Sequence, residues 1–427
     1  MINRITAPEF HPIENVNLIH PQRSVLSNGA EFFVFNAGEQ ELVRIQWVFE
    51  NAPFQSAQPI LNAALSALML EGTSRYTSAQ IAEKVDFYGA YLYPEYSFDH
   101  TSLNLITLNK HLDQLLPFVI EVLNDMTFPQ QEIDTYARNS KQSLKISLKK
   151  NDYVARREFN HALFGDSSYG YNQKLTDFDH LNRKALLSTY EQYMVPSNCS
   201  IFVAGKVSDS SLHFIRHEIE QGWIARGTKP FIETQSFPIP EARQELIERE
   251  KAIQSAIRVG QLSIQRSHPD FPALQVLNTV LGGYFGSRLM MNIREDKGYT
   301  YGVGSGIGSL KQAAFFTISS EVGTEVCAAT LKEIEFELKR LRDEEVSAEE
   351  LDLVKNYLLG SMLGSLEDVF SHADKFKQVY FSGLDLDYYE YYTQQVQGLS
   401  PSRLQALANE YLDYDKMVKI IVGKINS

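Results

Sequence analysis

The sequence LGGYFGSRLMMNIREDKGYTY, residues 281–301, decides how the rest of the chain is interpreted. Two glycines lie near its start, Ser287 and Arg288 form a Ser-Arg pair, and an Arg-Glu-Asp-Lys run precedes Gly298. From residue 302 to residue 308, glycines at the even positions alternate with Val, Ser and Ile. This alternation predicts a strand with one side kept bare, which a neighbouring backbone or a ligand could approach closely.

The quoted stretch resembles the signature G-G-x-x-x-S-R-L-x-x-x-[IL]-R-E-x-x-G-x-x-Y of the C-terminal domain of the pitrilysin/insulinase-type (M16) metallopeptidases, with nearly every fixed position matched. The resemblance extends over most of the chain, from about residue 20 to residue 425. It implies an α+β fold of two homologous halves, each a LuxS/metallohydrolase-like domain, that enclose a groove or chamber.

The chain itself indicates a duplication. Residues 203–207 (VAGKV) and 421–425 (IVGKI) match at a spacing of 218 residues, and the predicted strands and helices follow the same order in both halves. Self-similarity at so long a period predicts two copies of an α+β unit. We predict an N-terminal domain at 1–226, a proline-containing, charge-rich linker at 227–252 that could carry a strand at its edge, and a C-terminal domain at 253–427.

Composition excludes several classes of protein. The 427 residues carry a net charge of −13, which argues against nucleic acid as the main partner because phosphate contacts need a basic surface. Cys199 and Cys327 lack CxxC spacing, so they predict buried thiols and exclude a disulfide framework or a Cys-rich zinc site. No apolar run is long enough to span a membrane and the N-terminus lacks a signal-peptide core, so we expect a cytoplasmic protein.

The resemblance also identifies where a metal site would lie. Active family members carry an inverted H-x-x-E-H motif on the first helix, shortly before a Gly-Thr pair that is present here as Gly72-Thr73. The matching positions are Ala63, Ser66 and Ala67, and residues 135–151, where the third ligand is expected, contain no carboxylate. A degenerate site is therefore implied, with no metal or other cofactor in this chain. Taken alone, Ala63 and Ala67 at i, i+4 spacing predict a small-residue face packed in the core.

Two histidines offer a weaker metal hypothesis. His213 and His217 share one helix face and could bind one zinc ion, but Phe214 stands where a zincin has its glutamate and Arg216 adds an unfavourable charge. The other interpretation is a pair of half-exposed histidines on an amphipathic helix. An independent enzyme with its metal site relocated to these residues stays open as a third hypothesis.

In the two-chain members of the resembled family, the chain without the metal motif donates an Arg and a Tyr to the shared chamber. The matching residues are Arg294 and Tyr301. Arg294 could hold a substrate carbonyl or carboxylate, and Tyr301 could hydrogen-bond the carbonyl or developing oxyanion. The alternatives are an ion pair of Arg294 with Glu295 or Asp296, and packing of Tyr301 on its sheet. Ser287 and Arg288 are expected to brace the preceding turn.

The resulting hypothesis is a non-catalytic, substrate-binding subunit of a heterodimeric M16-type zinc peptidase. Its partner would carry the H-x-x-E-H motif and the zinc, and the complex would hydrolyse unstructured peptides. The alternative is a metal-free peptide-binding or scaffold protein with no catalytic partner. A basic stripe is interpreted as a solvated helix face, with contact to an acidic partner chain or peptide as the other possibility; it comprises Arg138, Lys141, Lys145, Lys149 and Lys150.

Overall fold

The computed structural model describes residues 13, 16–225, 227 and 234–425, and within them the strands form two mixed sheets. The N-terminal sheet has the order β1-β2-β6-β3-β5-β4, from β1 (Gln22–Val25), β2 (Glu31–Asn36), β3 (Leu42–Glu50), β4 (Tyr91–Tyr96), β5 (His100–Leu108) and β6 (Cys199–Gly205). The C-terminal sheet has the order β7-β11-β8-β10-β9, from β7 (Arg243–Glu248), β8 (Gln254–Leu262), β9 (Thr300–Ser309), β10 (Ala314–Gly323) and β11 (Val418–Gly423).

The helices lie between these strands. The N-terminal half contains α1 (Leu61–Ala67), α2 (Ser78–Phe87), α3 (Leu112–Asn124), α4 (Gln130–Ser147), α5 (Asn151–Phe164), α6 (Arg183–Tyr193) and α7 (Asp209–His217). The C-terminal half contains α8 (Phe271–Asn278), α9 (Cys327–Asp343), α10 (Ala348–Gly364), α11 (Val369–Tyr380), α12 (Asp387–Gly398) and α13 (Pro401–Tyr411). As the sequence predicts, Thr77 forms a capping box with Gln80 at the start of α2.

The two sheets share one pairing scheme, which confirms two homologous α+β halves. β2 pairs with β6 in parallel and β7 pairs with β11 in parallel, whereas the next three pairs in each sheet are antiparallel. The matched strands β6 and β11 end at Gly205 and Gly423, whose φ angles are 144° and 140°. A Cβ at Gly205 would lie 2.2 Å from the Leu42 carbonyl oxygen, so the turn requires glycine there.

Each half gives one helix to the other half's sheet. α11, from the C-terminal half, covers the N-terminal sheet, where Phe376 contacts Phe33 and Phe202 at ring-centroid distances of 5.2 and 6.2 Å. α5, from the N-terminal half, covers β8 and β11 of the C-terminal sheet, where buried Phe159 packs in one cluster with Ile420. This reciprocal exchange buries a face of both sheets between the halves.

The opposite face of each sheet is covered by helices of its own half. In the N-terminal half, Ile45, Trp47 and Leu105 pack with residues of α1 and α3 in one buried cluster. Both predicted thiols are confirmed, since Cys199 and Cys327 are buried and free. Within the residues described, no helix combines the length and apolar character needed to cross a bilayer.

The C-terminal sheet begins inside the segment that the sequence predicts to be a linker. β7 (Arg243–Glu248) lies within 227–252 and pairs with β11, so the first strand of the second half precedes residue 253. Residues 226 and 228–233 of this region lie outside the described residues, as do the N-terminal residues 1–12 on which the signal-peptide expectation rests.

Candidate functional site

The degenerate metal positions lie on α1, which packs beside β4, β5 and α6. Ser66 is buried, Ala63 is half-buried and Ala67 is exposed. The prediction that Ala63 and Ala67 form a core face is therefore wrong for Ala67. The i, i+4 spacing correctly places the two methyl groups on one side of the helix, but in the described part of the chain that side is left open at Ala67.

The helix expected to supply the third ligand is α4. Of the aligned residues, Leu144 is buried against Ile60 and Phe178, whereas Gln142, Ser143 and Lys145 are exposed. This packing brings α4 to Ile60, the residue that precedes α1, so the two helices are neighbours. Their side chains supply alanine methyls, a serine hydroxyl, an amide and an ammonium group, none of which matches the imidazoles and carboxylate that bind zinc.

A wider search of the described residues finds no group of three or more His, Cys, Asp or Glu side chains that could hold a metal ion. His213 and His217 are both exposed on α7. Arg216, between them, lies over the Phe32 ring at 4.7 Å and donates a hydrogen bond to Ser24 Oγ. The residues present at the family's metal positions therefore do not fit zinc, and we derive no catalytic step through a metal in this chain.

Residues 281–301 form a rigid support on the C-terminal half. Buried Arg288 donates two hydrogen bonds of 2.9 Å to the Glu350 carboxylate at the start of α10, which agrees with its predicted bracing role. Gly282 lies so close to β9 that a Cβ would be 2.6 Å from the Ser305 amide nitrogen. The bare side predicted for β9 is present only in part, because Gly302 and Gly306 face open space whereas Gly308 lies under the Phe315 ring.

A short π-helical segment, Met290–Asp296, carries Arg294. Asn292, in this segment, donates a 2.7 Å hydrogen bond to Glu337 of α9 and accepts one of 2.7 Å from Lys297. Glu337 is almost fully buried, and burial raises the pKa of its carboxyl group. The segment is thus tied to α9 on the side away from Arg294.

The Arg294 guanidinium is held at the surface by two neighbours. It lies 3.2 Å from the Glu295 carboxylate and 4.6 Å from the centre of the Phe285 ring. Its side chain is 32% exposed, and Phe285 is itself 62% exposed. The ion pair that the sequence offers as an alternative is therefore present, yet the guanidinium still faces solvent and can accept a ligand.

Tyr301 lies at a bulge in the edge strand β9. In the pairing with β10, Thr300 is opposite Val322 and Val303 is opposite Ser320, so two residues of β9 face Glu321 alone. Such a bulge changes the direction in which the side chains of the bulged strand, here β9, point. Tyr301 is 93% exposed, so the alternative in which it packs on its sheet is wrong.

Sequence reasoning missed Phe285 and the bulge. Phe285 lies in the quoted stretch but at a position that the signature leaves open, and its contact with Arg294 depends on the turn that precedes the π-helical segment. The bulge depends on the register between β9 and β10, which the alternating glycines do not define. The basic stripe lies along exposed parts of α4 and the residues after it, with Lys141 paired to Asp179.

The described residues form two homologous α+β halves with exchanged helices, and alanine and serine occupy the positions where a metallopeptidase of this architecture would hold its metal. Comparison with known families agrees: the description "Peptidase M16 inactive domain" matches residues 180–358, and "Insulinase (Peptidase family M16)" matches residues 64–172. The chain belongs to the M16 peptidase family, as a homologue of the inactive, non-catalytic type.

Individual relatives are distant. The chain is 27% identical over 316 residues to the "Uncharacterized zinc protease YmxG" of Bacillus subtilis, covering 72% of this chain and 74% of that protein. It is 28% identical over 142 residues to the "Probable inactive metalloprotease YmfF" of the same organism, covering 33% of each. The crystal structure of a peptidase M16 inactive domain from Pseudomonas fluorescens superimposes with a TM-score of 0.88 at 23% identity, over 95% of this chain and 99% of that one.

Proposed function

We propose that this chain is the substrate-binding, non-catalytic subunit of a two-chain M16 peptidase. One observation carries the proposal: a strand bulge turns Tyr301 almost fully into solvent, beside a segment that holds Arg294 at the surface. An exposed tyrosine beside an arginine that is held in place by Glu295 and Phe285 is suited to bind a peptide located in the active site of a partner chain.

The chemistry of the two side chains fits peptide binding. Arg294 presents a planar set of N–H donors that can hold a peptide carbonyl or carboxylate in a fixed orientation. Tyr301 can donate its hydroxyl proton to a carbonyl oxygen, and this hydrogen bond strengthens as negative charge develops on that oxygen. Zinc, the activated water and the general base would all belong to the partner chain, which would carry the H-x-x-E-H helix.

The first experiment identifies what co-purifies with this chain from its native cells. A near-stoichiometric partner of similar size with an H-x-x-E-H helix supports the proposal. Recovery of the chain alone, together with binding of unstructured peptides, would favour the alternative of a metal-free peptide-binding or scaffold protein.

The second experiment tests Arg294 and Tyr301 in the reconstituted complex. Arg294→Ala and Tyr301→Phe should each lower kcat/KM for an unstructured peptide by about 10- to 100-fold, since a donor aimed at a developing oxyanion contributes on that scale or more. Assembly, followed by gel filtration, should be unchanged because both side chains are exposed. Arg75→Ala and Tyr91→Phe, at exposed residues of the other half, are the matched controls, since Arg75 also has one ion pair and one aromatic neighbour. Unchanged kinetics in both test variants would exclude the proposed role.

A further inference from the structure

A cavity of about 700 Å³ lies between the two halves and is lined by both of them. The N-terminal half supplies the end of β4 and the β4–β5 turn, the C-terminal half supplies the β9–β10 turn and Arg266, and α11 closes one side. This volume falls within the range of about 300–1,000 Å³ that is typical of small-molecule sites. Arg294 and Tyr301 do not line it, so it is separate from the candidate peptidase surface.

Most of the charged groups in the cavity wall are already paired. Lys311 lies 2.7 Å from Glu50, and Lys377 lies 2.7 Å from Asp374, which also accepts hydrogen bonds from Arg44. Asp99 accepts hydrogen bonds from the Tyr169 hydroxyl and from the Lys311 backbone amide. These groups hold the two halves together and leave little capacity for a ligand.

Arg266, unlike these charged groups, has no carboxylate partner among the described residues. Its guanidinium lies 5.4 Å from the Phe271 ring centre, its Nε is buried without a hydrogen-bond partner, and it forms no ion pair in the described part of the chain. Lys375 is a second cation nearby, also without an ion pair among those residues; burial, and then the charge of Arg266, lower the pKa of its ammonium group. Lys375 does not line the cavity, so Arg266 is the cation that can meet an anionic group there.

Glu95 supplies the opposite charge from the N-terminal half. Its side chain accepts a 3.2 Å hydrogen bond from the Asn104 amide, and in the described residues it forms no ion pair. His100 also lines the cavity, with its ring tilted against Phe381 at a centroid distance of 4.1 Å and its buried Nε2 without a hydrogen-bond partner. The cavity wall therefore contains one cation, Arg266, and one anion, Glu95, that have no ion-pair partner among the described residues.

We propose that this cavity binds a small zwitterion, an α-amino acid or short peptide, with its carboxylate at Arg266 and its ammonium group at Glu95. Opposite charges from different halves match a ligand that carries both charges on one molecule. The proposal does not depend on the peptidase role, because the lining residues and the Arg294–Tyr301 surface do not overlap.

Isothermal titration of the full chain with alanine, dialanine and tetraalanine tests the proposal and distinguishes a free amino acid from a short peptide. At least one of these probes should bind. For that probe, acetylation of the amine and amidation of the carboxylate should each weaken binding tenfold or more. Absence of binding by all three probes, or binding that neither blocking group weakens, would overturn the proposal.

Two variants assign the ends of the ligand. Arg266→Gln should weaken binding and remove the effect of amidation, and Glu95→Gln should weaken binding and remove the effect of acetylation. Arg138→Gln and Glu83→Gln, exposed outside the cavity, are matched controls and should change nothing. If Arg266→Gln does not fold, the blocked probes on the wild-type chain and on Glu95→Gln still decide the outcome. Equal sensitivity to both blocking groups in both variants would refute the assignment.

Discussion

Replacement of Glu350 by glutamine tests how the buried Arg288 anchors the segment that carries Arg294. The Arg288 side chain is only 8% exposed and its ion pair with Glu350 is bidentate, so loss of the negative charge leaves a buried guanidinium without its counter-ion. Breaking a fully buried pair costs about 3–5 kcal/mol. Because the Glu350 side chain is 30% exposed and water can replace part of the interaction, we expect a loss of about 2–3 kcal/mol.

The matched control is Glu121→Gln. Glu121 pairs with Arg75 at 2.6 Å and is 29% exposed, so the two glutamates are equally accessible, but Arg75 is 69% exposed. A pair of this kind contributes about 0–1 kcal/mol. The difference between the two variants in free energy of unfolding therefore reports how much the burial of Arg288 adds to the strength of its ion pair.

Urea unfolding followed by circular dichroism measures both variants against the wild-type chain. Glu350→Gln should move the unfolding midpoint several-fold further than Glu121→Gln, with unchanged slopes if the surface exposed on unfolding is the same. Equal shifts in the two variants would refute the argument, since they would show that burial of Arg288 adds nothing to the strength of its ion pair.

Three further predictions concern His100, the glycines of the C-terminal half and the degenerate metal site. Burial lowers the pKa of His100 from 6.5 to about 4. Between these pH values the unfolded chain binds more protons than the folded chain, so the free energy of unfolding rises with pH. His100→Gln should flatten this part of the plot of unfolding free energy against pH. Gly282→Ala should lower the free energy of unfolding in urea by about 1–3 kcal/mol, as overpacking of a core does, whereas Gly306→Ala should change it little because a Cβ there meets open space. Similar losses in the two variants would show that the close approach of Gly282 to β9 is relieved by movement. The triple variant Ala63→His, Ser66→Glu, Ala67→His should bind no stoichiometric zinc in metal analysis of the pure chain, because α4 supplies no third ligand. A full equivalent of zinc would show that another residue acts as the third ligand.

Local features of the fold could be predicted from the sequence. Apolar residues at every second position from Val43 to Phe49 predict β3, and this strand, the Thr77 capping box and the glycine-matched ends of β6 and β11 are confirmed, since each depends on a few neighbouring residues. The sequence analysis does not predict helix α5, although its apolar residues recur at helical spacing. Its packing against the C-terminal sheet does not follow from the sequence, because a pattern within one segment does not identify a partner surface formed by distant strands, here β8 and β11.

The candidate site also has features that the sequence predicts and features that only the folded structure shows. Arg294 and Tyr301 follow from resemblance to a family signature, and the absence of zinc ligands follows from reading the aligned positions. The exposure of Tyr301 depends on a register shift between β9 and β10, and the exposure of Ala67 depends on which elements surround α1. Neither can be read from residue spacing, since both are set by pairing and packing between distant segments.

The reciprocal exchange of α5 and α11 bears on the origin of this architecture. A single half, with its own helix turned outward, leaves one face of its sheet uncovered and cannot complete its core alone. Two identical copies that trade this helix across a two-fold axis complete both cores at once, which is the arrangement of a domain-swapped homodimer. Gene fusion of such a dimer joins the copies into one chain, after which each copy can change independently. One consequence is that neither half, expressed separately, should persist as a monomer.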